Sequence, residues 1–167
     1  MKYLIIFAFI LSFTACKNIT NTDKSKSENT EITSSTINND ATKIDKPSME
    51  DAAKYVGKKP SEVNLFSQYN LEKRIDALLK NDAQNFKDNL NETTPIMKDG
   101  EILYFIGCKA GDCKAMKFFV MLDMLDTNVN VTVINNGTPK SYEESAIIGM
   151  TDKIANEFQR ILSSPGL

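Results

Sequence analysis

Residues 107–114 read "GCKAGDCK". Two cysteines, Cys108 and Cys113, bracket Lys109, Ala110, Gly111 and Asp112, with an apolar run leading in and another leading out. Thiols so placed could pair with each other, attack a substrate, pass electrons or hold a metal. The composition narrows that choice. The chain has 3 Cys and no His, so no Ser-His-Asp triad, Cys-His pair or His-ligated metal site can be assembled. Two thiolates without His or a second Cys pair leave a metal under-coordinated. Redox dithiols favour Cys-X-X-Cys at a helix start, whereas this pair has four residues between its members and sits between strands. No metal and no cofactor is expected. The remaining candidates for acid–base chemistry are the paired acids Asp123 with Asp126 and Glu143 with Glu144. Charged pairs on loops are expected to be solvated surface, so the chain does not read as an enzyme.

The compartment decides what the thiols do. Residues 1–15 read as a secretory signal, with Lys2 as the positive start and Leu4 to Phe13 as the apolar stretch. The stretch is too short to span a bilayer as a mature helix. "SFTAC" ends it at Cys16 and resembles a bacterial lipobox, in which the cysteine is acylated and becomes the first mature residue. Phe13 stands where that signal usually has Leu. The other reading is an ordinary signal peptide followed by a free thiol. Lipidation at Cys16 predicts a lipid-anchored place in the bacterial envelope, expected at the outer membrane. Outside the cytoplasm two close cysteines oxidise. With Cys16 lipidated, Cys108 and Cys113 are the pair that remains.

A disulfide closing a ring of about six residues contributes only about 2 kcal/mol by chain entropy. Such a ring does more by holding its residues in one conformation, so that a partner does not meet the ordering cost on binding. Gly111 permits a positive φ in the tight ring. Lys109 and Asp112 must face solvent or a partner, because burying either unpaired is costly. Two readings stay open at this level: a recognition loop, and a staple that only stiffens the sheet.

Several elements must position the loop. Residues 16–48 are rich in Ser, Thr, Asn, Lys, Asp and Glu, cannot bury enough apolar area to fold, and read as a disordered tether. About thirty such residues reach roughly 30 Å. The folded domain is expected over 49–167. Ser48 with Asp51 has capping-box spacing for a short helix. Asn70 is the expected N-cap of a helix carrying Leu71, Ile75, Leu78 and Leu79, broken near Asn81-Asp82 and continued through Phe86 and Leu90. Strands are predicted at 100–107, 117–124 and 128–135, the last half-buried by its alternation. Asn136-Gly137 marks a hairpin into a strand near Pro139–Glu143. Ile154, Phe158 and Ile161 mark a C-terminal amphipathic helix. The fold class is α+β, a mainly antiparallel sheet with helices N-terminal and C-terminal to it. The chain has 167 residues and a formal net charge of −2, without the basic balance of a nucleic-acid binder.

A strand ending in Gly-Cys, then Cys-Lys-X-X-Asp-Cys, then an apolar strand, resembles the inhibitor of vertebrate lysozyme (Ivy) family. "PSEVNLF" and "LEKRIDALL", with Phe86 and Leu90, resemble the helical region before that family's loop, so the likeness runs from about Pro60 to Tyr142. It implies an exported protein whose disulfide loop, Lys109 to Asp112 here, plugs the active-site cleft of a chicken-type lysozyme. The family's loop has Pro-His where this chain has Ala110-Gly111, and the His is the group that reaches the lysozyme carboxylates. Two functions follow: a membrane-anchored lysozyme inhibitor, or a same-fold binding lipoprotein for another envelope or host partner.

Overall fold

The computed structural model describes residues 44–167. The expected signal peptide (1–15), Cys16 and most of the 16–48 tether lie outside the described residues. The described chain forms helix α1 (Leu71–Leu79), helix α2 (Ala83–Asn89), strands β1 (Glu92–Thr93), β2 (Met97–Asp99), β3 (Ile102–Cys108), β4 (Met116–Asp123), β5 (Asn128–Asn135) and β6 (Thr138–Glu143), and helix α3 (Asp152–Ser163). All strand pairs are antiparallel. The sheet order is β1-β3-β4-β5-β6, and β2 pairs with the first half of β3. This is the α+β architecture expected from the sequence.

The strands are apolar on both faces because both faces are covered. Leu103, Phe105, Phe118, Val120, Leu122, Val129 and Val131 pack under α1, α2 and the preceding segment, against Met49, Leu65, Ile75 and Phe86. On the other face Tyr104, Ile106, Phe119, Met121 and Ile134 pack under α3, against Ile154 and Ile161. Thr151 caps α3, its hydroxyl accepting from the Ile154 N–H at 3.3 Å. Asp99 holds the same helix start through Thr151 and Lys153.

The structure differs from the sequence reading at several places. Strand β5 is buried on both faces, not half-buried: Asn130 and Thr132 are 5% and 3% exposed. Their alternation reflects hydrogen bonding rather than solvent. The Asn128 side chain donates to Ala146 O at 2.8 Å, and Asn130, with its amide oriented as its neighbours require, accepts from the Ile148 N–H at 2.8 Å. Together they pin the segment that carries the chain from β6 across to α3. Ser48 does not cap an α-helix. Met49 is fully buried, and Glu50–Tyr55 is a 3-10 turn without a side-chain cap. Asn70 does stand at the N-cap of α1, but at φ 56° and without capping through its side chain, which donates instead to Asp45 O at 3.1 Å. The break between α1 and α2 falls at Lys80–Asp82, as expected.

One ion pair joins the layers. Arg74 of α1 is 1% exposed. Its Nε and Nη2 donate to Glu144 Oε1 and Oε2 at 2.9 and 2.7 Å, and Nη2 also donates to Thr127 O at 2.6 Å. Lys46 meets Glu144 at 3.1 Å from the chain's N-terminal side. Glu144 is therefore a structural anchor, not the solvated acid its position suggested. Burial alone would raise its carboxyl, but Arg74 and Lys46 outweigh that and hold it below the ordinary glutamate range. A lowered native pKa means the stabilisation is complete at neutral pH and fades as pH falls through the native value.

Replacing Glu144 with Ala leaves the Arg74 guanidinium buried without its counter-charge and is expected to cost about 3 kcal/mol in denaturant unfolding. The Arg74→Met, Glu144→Leu double variant should recover most of that loss. An additive loss in the double variant would refute the pairing.

Candidate functional site

The β3–β4 hairpin is the middle of the sheet and carries the loop at its tip. Register runs from Ile102 opposite Asp123 to Cys108 opposite Lys117, which puts the loop at one pole of the sheet. The turn of Asp123–Thr127, the segment after Glu143 and the entering chain at Asp45–Lys46 occupy the other pole. Six residue steps at roughly 3.3 Å separate the ends of β3, about 20 Å.

The stem is tightly fitted. Cys108 is fully buried and its carbonyl accepts from the Asn91 N–H at 3.1 Å. A Cβ on Gly107 would lie 2.1 Å from Leu90 Cδ1 and 3.3 Å from Glu92 O. Glycine thus lets Leu90 and β1 close over the end of β3. On the returning side the Asn136 N–H donates to Ala115 O at 2.8 Å, tying the β5–β6 turn to the stem. The close approach explains glycine at 107, while at 136 the bond uses only the backbone and the left-handed φ of 48° is what suits Asn.

Cys108 and Cys113 are disulfide-bonded, with Cα atoms 5.0 Å apart. Lys109, Ala110, Gly111 and Asp112 are all exposed. They form one turn: the Asp112 N–H donates to Lys109 O at 2.9 Å, and Gly111 has φ 78°. A positive φ at the third residue is what a type II turn demands. Beyond its chain neighbours no atom lies within 4 Å of the position a Gly111 Cβ would take, so the space beside its Cα is open. The loop residues singled out from the sequence thus form one continuous surface. Cys16 lies outside the described residues.

The other candidates come apart. Asp123 Oδ1 accepts from the Leu125 and Asp126 N–H groups at 3.0 and 3.1 Å, so it shapes the β4–β5 turn. Asp126 and Glu143 are exposed. Among the described residues one set of ligand atoms clusters closely enough to suggest a metal, on Glu92, Cys108 and Cys113. Two of those three atoms are sulfurs already bonded to each other.

The sequence reading passed over Lys117, which is 3% exposed on β4 directly across from Cys108. Its ammonium donates to Ile161 O at 2.7 Å and to Ser164 O, meeting the free carbonyls at the end of α3. Burial, and then the like charge of Arg160, push its pKa below the ordinary lysine value. The signal was its place at the head of an apolar run. Arg74 had a similar signal, three residues from Leu71 and one from Ile75 on the apolar side of α1.

Among known proteins, no curated protein and no solved structure matches this chain. A family model does: Inhibitor of vertebrate lysozyme (Ivy), over residues 70–164. The matched span begins at the N-cap of α1, contains every strand and the disulfide loop, and ends at the C-cap of α3. The chain belongs to the Inhibitor of vertebrate lysozyme family.

Proposed function

We propose that this chain is an envelope-tethered inhibitor that blocks a lysozyme cleft with the Cys108–Cys113 loop. Family membership supports an inhibitor over an enzyme and a lysozyme as the protein partner. The observation that carries the loop assignment is the exposed turn itself: Lys109 to Asp112, closed by the disulfide and projecting from the sheet's pole. A preformed turn does not have to be ordered at the moment of binding. Glycoside hydrolases of this class work with an acid and a carboxylate flanking the cleft. The Lys109 ammonium offers a charge-assisted hydrogen bond to such oxygens. The Gly111 N–H, with no Cβ beside it, offers a second donor at close approach. Lipidation at Cys16 would hold the protein at the outer membrane. An anchor upstream joins the fold at Asp45–Lys46, the pole away from the loop.

Gly111 also favours a second reading. The family's His is the donor expected at this position, and the chain has no His. A same-fold lipoprotein binding another envelope or host protein through this loop would need none.

Lysis of cell-wall substrate by chicken-type and goose-type lysozymes, with and without the protein, separates the two. Slower lysis by the chicken-type enzyme is expected. No protection at roughly 50 µM, well above the micromolar dissociation constants of modest complexes, removes the inhibitor reading for these enzymes. Lys109→Ala should weaken inhibition at least tenfold, the loss of one charge-assisted hydrogen bond.

Opening the ring with Cys108→Ser, Cys113→Ser should cost about 2 kcal/mol of stability. It should also weaken inhibition about tenfold, because the turn must then be ordered on binding. Unchanged inhibition would leave the disulfide a staple and nothing more. Gly111→His must overcome about 1 kcal/mol of left-handed strain at φ 78°. If it inhibits where the parent does not, the parent's partner is a different protein.

A further inference from the structure

Lys117 is more deeply buried than capping a helix end requires. It is 3% exposed, yet no carboxylate among the described residues lies within ion-pair distance of it. Two of its three ammonium protons go to Ile161 O and Ser164 O. The third has no acceptor among the described residues. Helix-terminal carbonyls carry about half a negative charge, so the compensation is partial. Buried charges are ordinarily paired. The like-charged Arg160 nearby adds to the deficit.

Lys117 is also not sealed away. With Lys114 it lines a cleft of about 400 Å³, walled by the Asn136–Gly137 turn on one side and Leu162–Pro165 on the other. No Asp or Glu lines this cleft. It lies at the loop's pole: Lys114 follows Cys113 directly, and Lys117 pairs across the sheet with Cys108. A protein seated on the loop would lie next to it.

We propose that this cleft is a carboxylate-binding subsite, taking an acidic side chain of the protein that the disulfide loop engages. The occupant's carboxylate supplies the missing counter-charge, accepting from the third Lys117 proton and from Lys114 at the rim. The volume holds one Asp or Glu side chain. The site rests on the loop reading for its partner, but its affinity for a carboxylate stands apart from it.

The test has two arms. The ¹⁵N-labelled full-length chain is titrated with sodium acetate against sodium chloride at equal ionic strength. Saturable acetate shifts are expected at the amides of Lys114, Lys117, Gly137 and Ser164, weakened about tenfold in Lys114→Glu. Lys114 is exposed, so this variant keeps the fold where Lys117→Met would loosen α3. Acetate shifts that do not saturate, or that persist unchanged in Lys114→Glu, overturn the site and leave Lys117 a helix cap. In the second arm, dissociation from chicken-type lysozyme should quicken about tenfold in Lys114→Glu. A change confined to the association rate would mean steering by a rim charge and would overturn the seated side chain. If the parent does not bind lysozyme, the proposed function fails, while the acetate titration still decides the subsite.

Discussion

A sheet that is apolar on both faces must be covered twice, and most of this molecule follows from that need. The central strands β3 and β4 place Phe105 and Phe118 on one face and Ile106 and Phe119 on the other, all fully buried. One helical layer cannot shield both. The chain therefore spends its first helices on one face, crosses the end of the sheet after β6, and lays α3 on the other. Each fully buried aromatic contributes on the order of 2–3 kcal/mol, so neither layer is dispensable. With both faces taken, the sheet's surface for partners lies at its poles and edges, and the stapled loop occupies one pole.

The crossing is the weak point of such a design, because it takes polar backbone over an apolar core. It is held by buried polar groups at several places. Asn128 and Asn130 reach up from β5 to the backbone of the crossing segment, and Arg74 reaches across from α1 to Glu144 at its start. The guanidinium suits this place because its planar fork meets both carboxylate oxygens while a further proton goes to Thr127 O. Lys46 joins the same carboxylate, so the entering chain, the helical layer and the crossing all converge on Glu144. Both poles are thus fastened, and at the loop's pole the ring residues Lys109 to Asp112 stay exposed beyond the fitted stem.

The elements were legible wherever a local period reported one-sided packing. The amphipathic stripe of α3, the Asn-Gly turn before β6 and the break between α1 and α2 all showed in the sequence. So did the disulfide pair and the left-handed glycine between its members. Two differences share a cause: the alternation in β5 suggests water on one face, but Asn130 and Thr132 are polar because they bond other parts of the chain. No local pattern distinguishes a solvated Asn from one that holds a crossing segment. The same holds for Glu144, whose partner lies 70 positions away in the chain. Strand β2 is only three residues long and its pairing depends on the Gly100 turn, so its period was too short to read.

The loop turns on a trade at Gly111. The turn needs a positive φ there, and glycine meets that need without strain. A bulkier residue in the same turn would gain a side chain at the tip but carry the strain of the left-handed region. This chain takes the relaxed backbone and gives up the tip side chain. The donors that remain are the Gly111 amide, which an unhindered backbone brings closer, and lysines on either side of the ring. Lys109 sits within the ring, Lys114 just outside it and Lys117 beneath its stem, with a single acid, Asp112, among the ring's exposed residues. If the loop binds as proposed, recognition that a tip side chain would concentrate at one point is spread over a backbone donor and three cations of graded exposure, two open to solvent and one nearly buried. On that proposal a partner would have to present acidic groups at more than one depth. That requirement is stricter than a fit to a single plugging side chain.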